Sequence, residues 1–231
     1  MNFFTDNKDI LFNLDNLDLK PIIDLKENDF EDYKNSNIDY APENYEDAID
    51  NYKKILDVMG DICANYIAPR AESVDEEGVT LQDGEVYYAK GTQENLKRLK
   101  QAGLMGFTIP RKYGGLNCPT TIYTIATELI SRADASLMNL FGLQEIAETI
   151  YFFSSDEQKE RYLPMFTKGE VTGSMALTEP EAGSDLQAVK LKAHYDEKDG
   201  CWRLNGMKRF ITNGLADVSL VLARSEEGTE D

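Results

Sequence analysis

The sequence predicts an α+β protein: a mostly helical N-terminal part followed by the opening strands of a β domain. Two patterns carry this reading. Apolar residues recur at three- and four-residue steps through most of the first 168 residues, and from Gly169 onward the period shortens to two. A third observation sets the scale. At 231 residues and 42% hydrophobic composition, the chain can bury a core as one large domain or two small ones. The expected division is an acidic extension over 1–44, a helical domain over 45–168 and an incomplete β domain over 169–231.

Residues 1–50 hold fourteen acidic residues against four lysines, which is −10 of the total −18. A partner-binding acidic arm and a solvated extension with peripheral helices both fit that charge. Phe12, Leu14, Leu17, Leu19, Ile22, Ile23 and Leu25 are too many for a pure tail, so part of it is expected to dock on the body. Pro42 opens the first long helical pattern, which runs from Tyr45 through Tyr52, Leu56, Met59 and Ile62 to Pro69. The acidic stretch from Ala71 to Lys90 reads as irregular and ends in a loop between Gly84 and Gly91. Thr92 is placed to N-cap a helix carrying Leu96 and Leu99 and closed by Gly103.

Leu104 to Pro110 is a short apolar segment, and Arg111 to Leu116 a turn. Helical patterns follow over 120–132 and 134–152, and Ser155-Asp156-Glu157-Gln158 is a capping box for a short helix ending near Leu163-Pro164. The first strand is expected over Val171–Leu177. Val189, Leu191, Ala193 and Tyr195 alternate with polar neighbours, as do Trp202 and Leu204, and Glu197-Lys198-Asp199-Gly200 between them reads as a hairpin turn. Val218 to Ala223 is a further strand. A sheet this small needs more strands or a helical layer to cover its faces.

The net charge of −18 argues against general nucleic-acid binding and against anionic membrane surfaces. No apolar run is long enough to span a membrane, and the first residues lack the basic-then-apolar pattern of a signal peptide. Cys63, Cys118 and Cys201 are widely spaced and odd in number, which fits a reducing, cytoplasmic compartment. With His194 as the lone histidine, no multi-histidine metal cluster is expected.

Two stretches could carry chemistry. In the first, Leu177-Thr178-Glu179-Pro180-Glu181-Ala182-Gly183-Ser184-Asp185, a strand ends and a compact turn follows. Glycine there admits close backbone approach, and the amides with the Ser184 hydroxyl could hold a phosphate, although a plain connecting turn would read the same way. In the second, Asn205 to Gly214, the Asn205-Gly206 pair signals a tight turn. Phe210 and Thr212 would share one side of a strand, where they could pack on and hydrogen-bond a planar heterocycle or simply fill a core.

Taken together, the two stretches resemble the acyl-CoA dehydrogenase family of flavoenzymes in content, order and spacing. Gly103-Leu104-Met105-Gly106, Ile109-Pro110 and Tyr113-Gly114-Gly115-Leu116 upstream are similar as well, as are Gln158-Lys159 and Tyr162-Leu163-Pro164 before Gly169. The resemblance covers roughly residues 45–224. It implies a helical N-terminal domain, a middle domain that is an antiparallel β-barrel, and a C-terminal four-helix domain. It also implies FAD as cofactor, an acyl-CoA substrate desaturated to its α,β-enoyl form, an electron-transfer flavoprotein as acceptor and a homo-oligomer at full length.

By position, the resemblance puts Met175, Leu177, Thr178, Phe210 and Thr212 at the flavin, and Ser184 at its pyrophosphate and close to acyl-CoA. Phe210 stands where the family commonly has Trp, so a ring face is kept and an indole N–H is lost. Leu140, Leu143, Gln144 and Ala147 are candidates for an acyl pocket, with ordinary helix packing as the competing account. The family's catalytic base is a Glu of the C-terminal domain, which these residues do not reach, so no catalytic residue is assigned. The resulting expectation is the N-terminal part of an FAD-dependent acyl-CoA dehydrogenase, inactive without that domain. An acyl-CoA oxidase or flavin monooxygenase of the same fold is the enzymatic alternative, and a non-catalytic split or truncated binding protein is the other.

Overall fold

The computed structural model of the protein describes residues 1–35 and 38–225. They form two compact units, Met1–Val171 and Thr172–Asp231.

The first unit is helical. Its centre is α4 (Tyr45–Ile62), preceded by α1 (Lys8–Asn16), α2 (Lys20–Lys26) and α3 (Glu31–Asn35). Asn44 rather than Pro42 sets the start of α4, because its side chain accepts the Asp47 amide at 3.0 Å. Ala48, Tyr52, Leu56, Met59 and Ile62 fall on one face and are buried. The helix then widens into a π turn (Cys63–Ile67) and tightens into a 3₁₀ turn (Ala68–Arg70), where Pro69 has no amide to continue the ladder.

The acidic N-terminal segment docks on this helix. Phe3, Phe4, Ile10, Leu14, Leu19 and Ile23 are buried in the same core as α4, while Phe12, Leu17, Ile22 and Leu25 are exposed. Polar contacts fix the docking. Arg111 donates to both oxygens of Glu27, Tyr52 donates its hydroxyl to Glu27, and Asn117 Nδ2 donates to Lys26 O at 3.1 Å.

The stretch expected to be irregular is ordered. It holds α5 (Ala71–Glu77) and a hairpin of β1 (Thr80–Gln82) and β2 (Glu85–Tyr87). Asp83 and Gly84 turn it with φ +53° and +84°, the two-residue left-handed geometry that an Asp-Gly pair favours. In α6 (Lys90–Gln101) the N-cap is Ala89, and Thr92 is buried inside the helix instead of capping it. Its C-terminus closes as expected: Gly103 takes φ +71°, with Gly103 N bonded to Lys100 O and Leu104 N to Leu99 O.

Residues 104–109 run buried with no regular secondary structure, held by Leu116, Asn117 and Cys118 amides across a 3₁₀ turn at Arg111–Tyr113. Next comes α7 (Thr120–Ala133). The predicted helix over 134–152 is two helices, α8 (Ala135–Leu143) and α9 (Ile146–Phe153). Between them the ladder shortens to i→i−3 bonds, with Gln144 N to Phe141 O and Glu145 N to Gly142 O, both 3.2 Å. The capping box at Ser155 is present and opens α10 (Asp156–Thr167), which continues past Pro164 for another turn.

In the second unit, β3 (Gly173–Ala176) pairs with β6 (Val218–Val221), and β4 (Lys192–Asp196) with β5 (Cys201–Asn205). The hairpin turn at 197–200 stands where the sequence puts it. The expected antiparallel arrangement holds for β4 and β5, but β3 and β6 are parallel, and no closed barrel forms among the described residues. A parallel pair needs a long crossover, which the chain from Leu177 to Asp217 supplies. Arg224 links the pairs, because its amide donates to Leu191 O at 2.9 Å and its carbonyl accepts from Ala193 N at 2.8 Å.

Candidate functional site

Both motif stretches lie in the second unit, and the fold brings them side by side. Arg209 N donates to Thr178 O at 2.8 Å. The Lys208 ammonium donates to Leu177 O and to the Glu179 carboxylate, each at 2.8 Å. The Glu179 and Lys208 side chains are largely withdrawn from solvent, 6% and 8% exposed. The other Glu179 contacts are amides, from Lys190 N at 2.6 Å and Leu191 N at 3.0 Å. Burial pushes the Glu179 carboxyl up, but Lys208 and the two amides outweigh it and hold its pKa at about 2. A carboxylate so firmly ionised and so fully occupied is a poor proton acceptor at neutral pH. Glu179 therefore cannot serve as a general base. Glu181 is exposed and paired with Lys190.

After Ala176 the chain turns through Glu179-Pro180-Glu181-Ala182, closed by Glu179 N to Ala182 O at 2.8 Å. Gly183 and Ser184 stand exposed at its tip, and a Cβ built on Gly183 meets nothing within 4 Å. Local packing does not demand glycine there, so the room it leaves is open to an approaching ligand. Asp185 then accepts the Gln187 amide at 3.0 Å and starts a 3₁₀ turn over Leu186–Ala188.

Phe210 departs from expectation. Residues 207–212 form no strand, so Phe210 and Thr212 are not paired by strand alternation. Instead Phe210 adopts φ +57° and the residue is 86% exposed. A bulky residue in the left-handed region costs about 1–2 kcal/mol and persists only where its surroundings hold it. Here the chain is tied on one side by the Arg209–Thr178 bond and on the other by Asn213 Nδ2, which donates to Gly173 O at 2.9 Å. Thr212 is exposed at the start of the turn over residues 212–215. Met175, Leu177 and Thr178 are half-buried at the end of β3 and just beyond it.

Leu140 and Gln144 lie in the helical unit. Leu140 is buried in its core. Gln144 is 3% exposed; its Nε2 donates to Val171 O at 3.1 Å, and its Oε1 is buried with no hydrogen-bond partner. Beside it, at the α8–α9 break, Glu145 accepts from the Thr108 hydroxyl. Burial pushes Glu145 up to about 7, helped by Glu148 and opposed by the Thr108 hydroxyl and Lys26. His194 is exposed on β4. Among the described residues no group of three or more His, Cys, Asp or Glu could hold a metal, and no helix is long and apolar enough to cross a membrane.

From sequence alone Lys208 and Asn213 carry no assigned role. Opposite charges at Glu179 and Lys208, each inside a motif, were the available signal for the first. Nothing local marks Asn213 as a tether.

The acyl-CoA dehydrogenase N-terminal domain profile matches residues 50–170, and the middle-domain profile matches 174–231. The 3-methylmercaptopropionyl-CoA dehydrogenase of Ruegeria pomeroyi is 34% identical over 185 residues, covering 76% of this chain and 31% of the relative. A solved structure described as the electron transferring flavoprotein of Acidaminococcus fermentans superposes with TM-score 0.65 at 29% identity, over 76% of this chain and 43% of that one. An acyl-CoA dehydrogenase complexed with FAD from Bacillus anthracis superposes with TM-score 0.65 at 29% identity, over 76% and 29%. The chain thus spans well under half the length of the relatives it matches.

Proposed function

The chain belongs to the acyl-CoA dehydrogenase family, and from that premise we propose that residues 175–178, 184 and 210–212 form one edge of an FAD site serving α,β-desaturation of an acyl-CoA thioester. The observation that carries the reading is the junction of two distant motif stretches at Arg209–Thr178, with an outward aromatic ring beside it. The residues present fit the group. Phe210 offers a ring face, Thr178 and Thr212 bring hydroxyls, and Gly183-Ser184 leaves open space with amides and a hydroxyl suited to a pyrophosphate.

Bound FAD would supply the two-electron acceptor for the hydride that leaves Cβ. The work of this chain's own residues is to bind and orient. With FAD bound, the Thr212 hydroxyl would donate to the ring system and favour negative charge there, Phe210 would pack on it, and Ser184 would hold the phosphate end. Ser184, Leu140 and Gln144 are the residues proposed for acyl-CoA, and the unpartnered Gln144 Oε1 makes it the better supported of the two helical ones. Proton removal from Cα needs a base, and Glu179 is excluded from that role by its ion pair. Electron-transfer flavoprotein is the proposed acceptor, on the family resemblance alone. A homo-oligomer is proposed on the family resemblance alone.

Equilibrium titration of the chain with FAD, read by flavin fluorescence, tests the reading. Saturable binding is expected, weakened about tenfold by Thr212→Val, the loss of one hydrogen bond. Absence of saturable binding, or a Thr212→Val chain that binds as tightly as wild type, would contradict it.

A further inference from the structure

We infer that Glu179 and Lys208 are positioning residues, and that their buried pair holds the two motif stretches at the spacing that keeps Phe210 left-handed and its ring presented outward. The inference rests on the FAD reading above and goes beyond it, because neither side chain is placed in contact with the cofactor.

Four contacts make the device. Lys208 Nζ bonds Leu177 O and Glu179 Oε1, each at 2.8 Å. Glu179 in turn takes the Lys190 and Leu191 amides. One ion pair thus ties three backbone segments: the end of the β3 stretch, the approach to β4, and the start of the Phe210 segment. The neighbouring Arg209–Thr178 bond then sets the register between residues 178 and 209. Past Phe210, the Asn213 side chain reaches Gly173 O at 2.9 Å. Residues 210–212 are therefore strung between two fixed points.

The energetics argue for geometry over bulk stability. A buried ion pair loses hydration on both partners and often adds little net stability compared with apolar side chains of similar size. What it supplies is direction, since the ammonium must face one carbonyl and one carboxylate at once. A Phe with φ +57° will otherwise relax toward an ordinary backbone conformation. When the tether is cut, the ring should spend most of its time out of position, and binding should weaken by the fraction of time it is absent.

The experiment is a double-mutant cycle on the 231-residue chain, with FAD affinity as readout. Lys208→Met is expected to weaken FAD binding at least tenfold when Phe210 is present. In a Phe210→Gly background, where no ring remains to be positioned, the same change should cost less than threefold. Equal losses in both backgrounds would overturn the inference. Should Lys208→Met fail to fold, Glu179→Gln takes its place in the cycle with the same expectation. Should wild type bind no FAD, the flavin reading fails by itself, and hydrogen exchange judges the positioning claim. The Arg209 amide should then exchange at least tenfold faster in Glu179→Gln while the Val218 amide, bonded to Thr172 O, keeps its rate. An unchanged Arg209 amide would overturn it.

Discussion

Glu145 and Glu179 show how the same carboxylate takes opposite characters. Glu145 sits at the α8–α9 break with one hydroxyl donor and Glu148 nearby, and burial lifts it to about 7. Glu179 is buried against a lysine and two amides and drops to about 2. For Glu145 the folded pKa lies above the unfolded value, so the folded state binds the extra proton. Its stabilising contribution is complete below about pH 4.5 and is lost as pH rises through about 7. Glu145→Gln should therefore flatten the fall in stability between those limits, by about 3 kcal/mol at most, measured by urea unfolding at pH 4.5 and 7.5. A wild-type stability that does not fall over that window would contradict this. Neither environment was legible in the sequence. The donors to Glu179 come from residues 11, 12 and 29 positions away, and Thr108 is 37 positions from Glu145. Phe210 was legible as a candidate, but its left-handed backbone was not, because no glycine or asparagine marks that position.

At the scale of elements, ends and turns were read well where a local rule governs them. The Ser155 capping box, the hairpin turn at 197–200 and the Gly103 closure of α6 all depend on residues within a few positions. The closure makes a clean prediction. A Cβ on Gly103 meets nothing within 4 Å, so Gly103→Ala should cost only its backbone strain, about 1–2 kcal/mol, in thermal or urea unfolding. No loss of stability would mean the chain leaves α6 by another path. Elements set by distant partners were misread. The α8–α9 break keeps the same apolar period on both sides, and its polar anchors, Thr108 and Val171, lie far along the chain. The β1–β2 hairpin hid its Asp83-Gly84 turn inside an acidic stretch. The parallel pairing of β3 and β6 has no local signature, since alternation marks a strand but not the direction of its partner.

For the molecule as a whole, the α+β class, mostly helical before Gly169 and with strands after it, follows from the change of period, although the β1–β2 hairpin interrupts the helical part; by compactness the chain divides at 171/172. The charge of the first fifty residues fits an arm or an extension with peripheral helices, the segment's apolar residues point to docking, and Phe3, Phe4, Ile10, Leu14, Leu19 and Ile23 are indeed built into the helical unit. The segment's anchor is the Arg111–Glu27 pair, with side chains 3% and 1% exposed. Arg111→Met should strand Glu27 as a buried charge and destabilise the chain by about 3–5 kcal/mol in urea unfolding. A loss under 1 kcal/mol would show that the N-terminal segment is not held by this pair. The central claim, however, concerns where FAD binds, and the most direct measurement is amide chemical-shift mapping of the ¹⁵N-labelled chain during FAD titration. The account predicts the largest shifts at residues 175–178, 183–185 and 209–213. Saturable shifts centred elsewhere, or none at all, would contradict it.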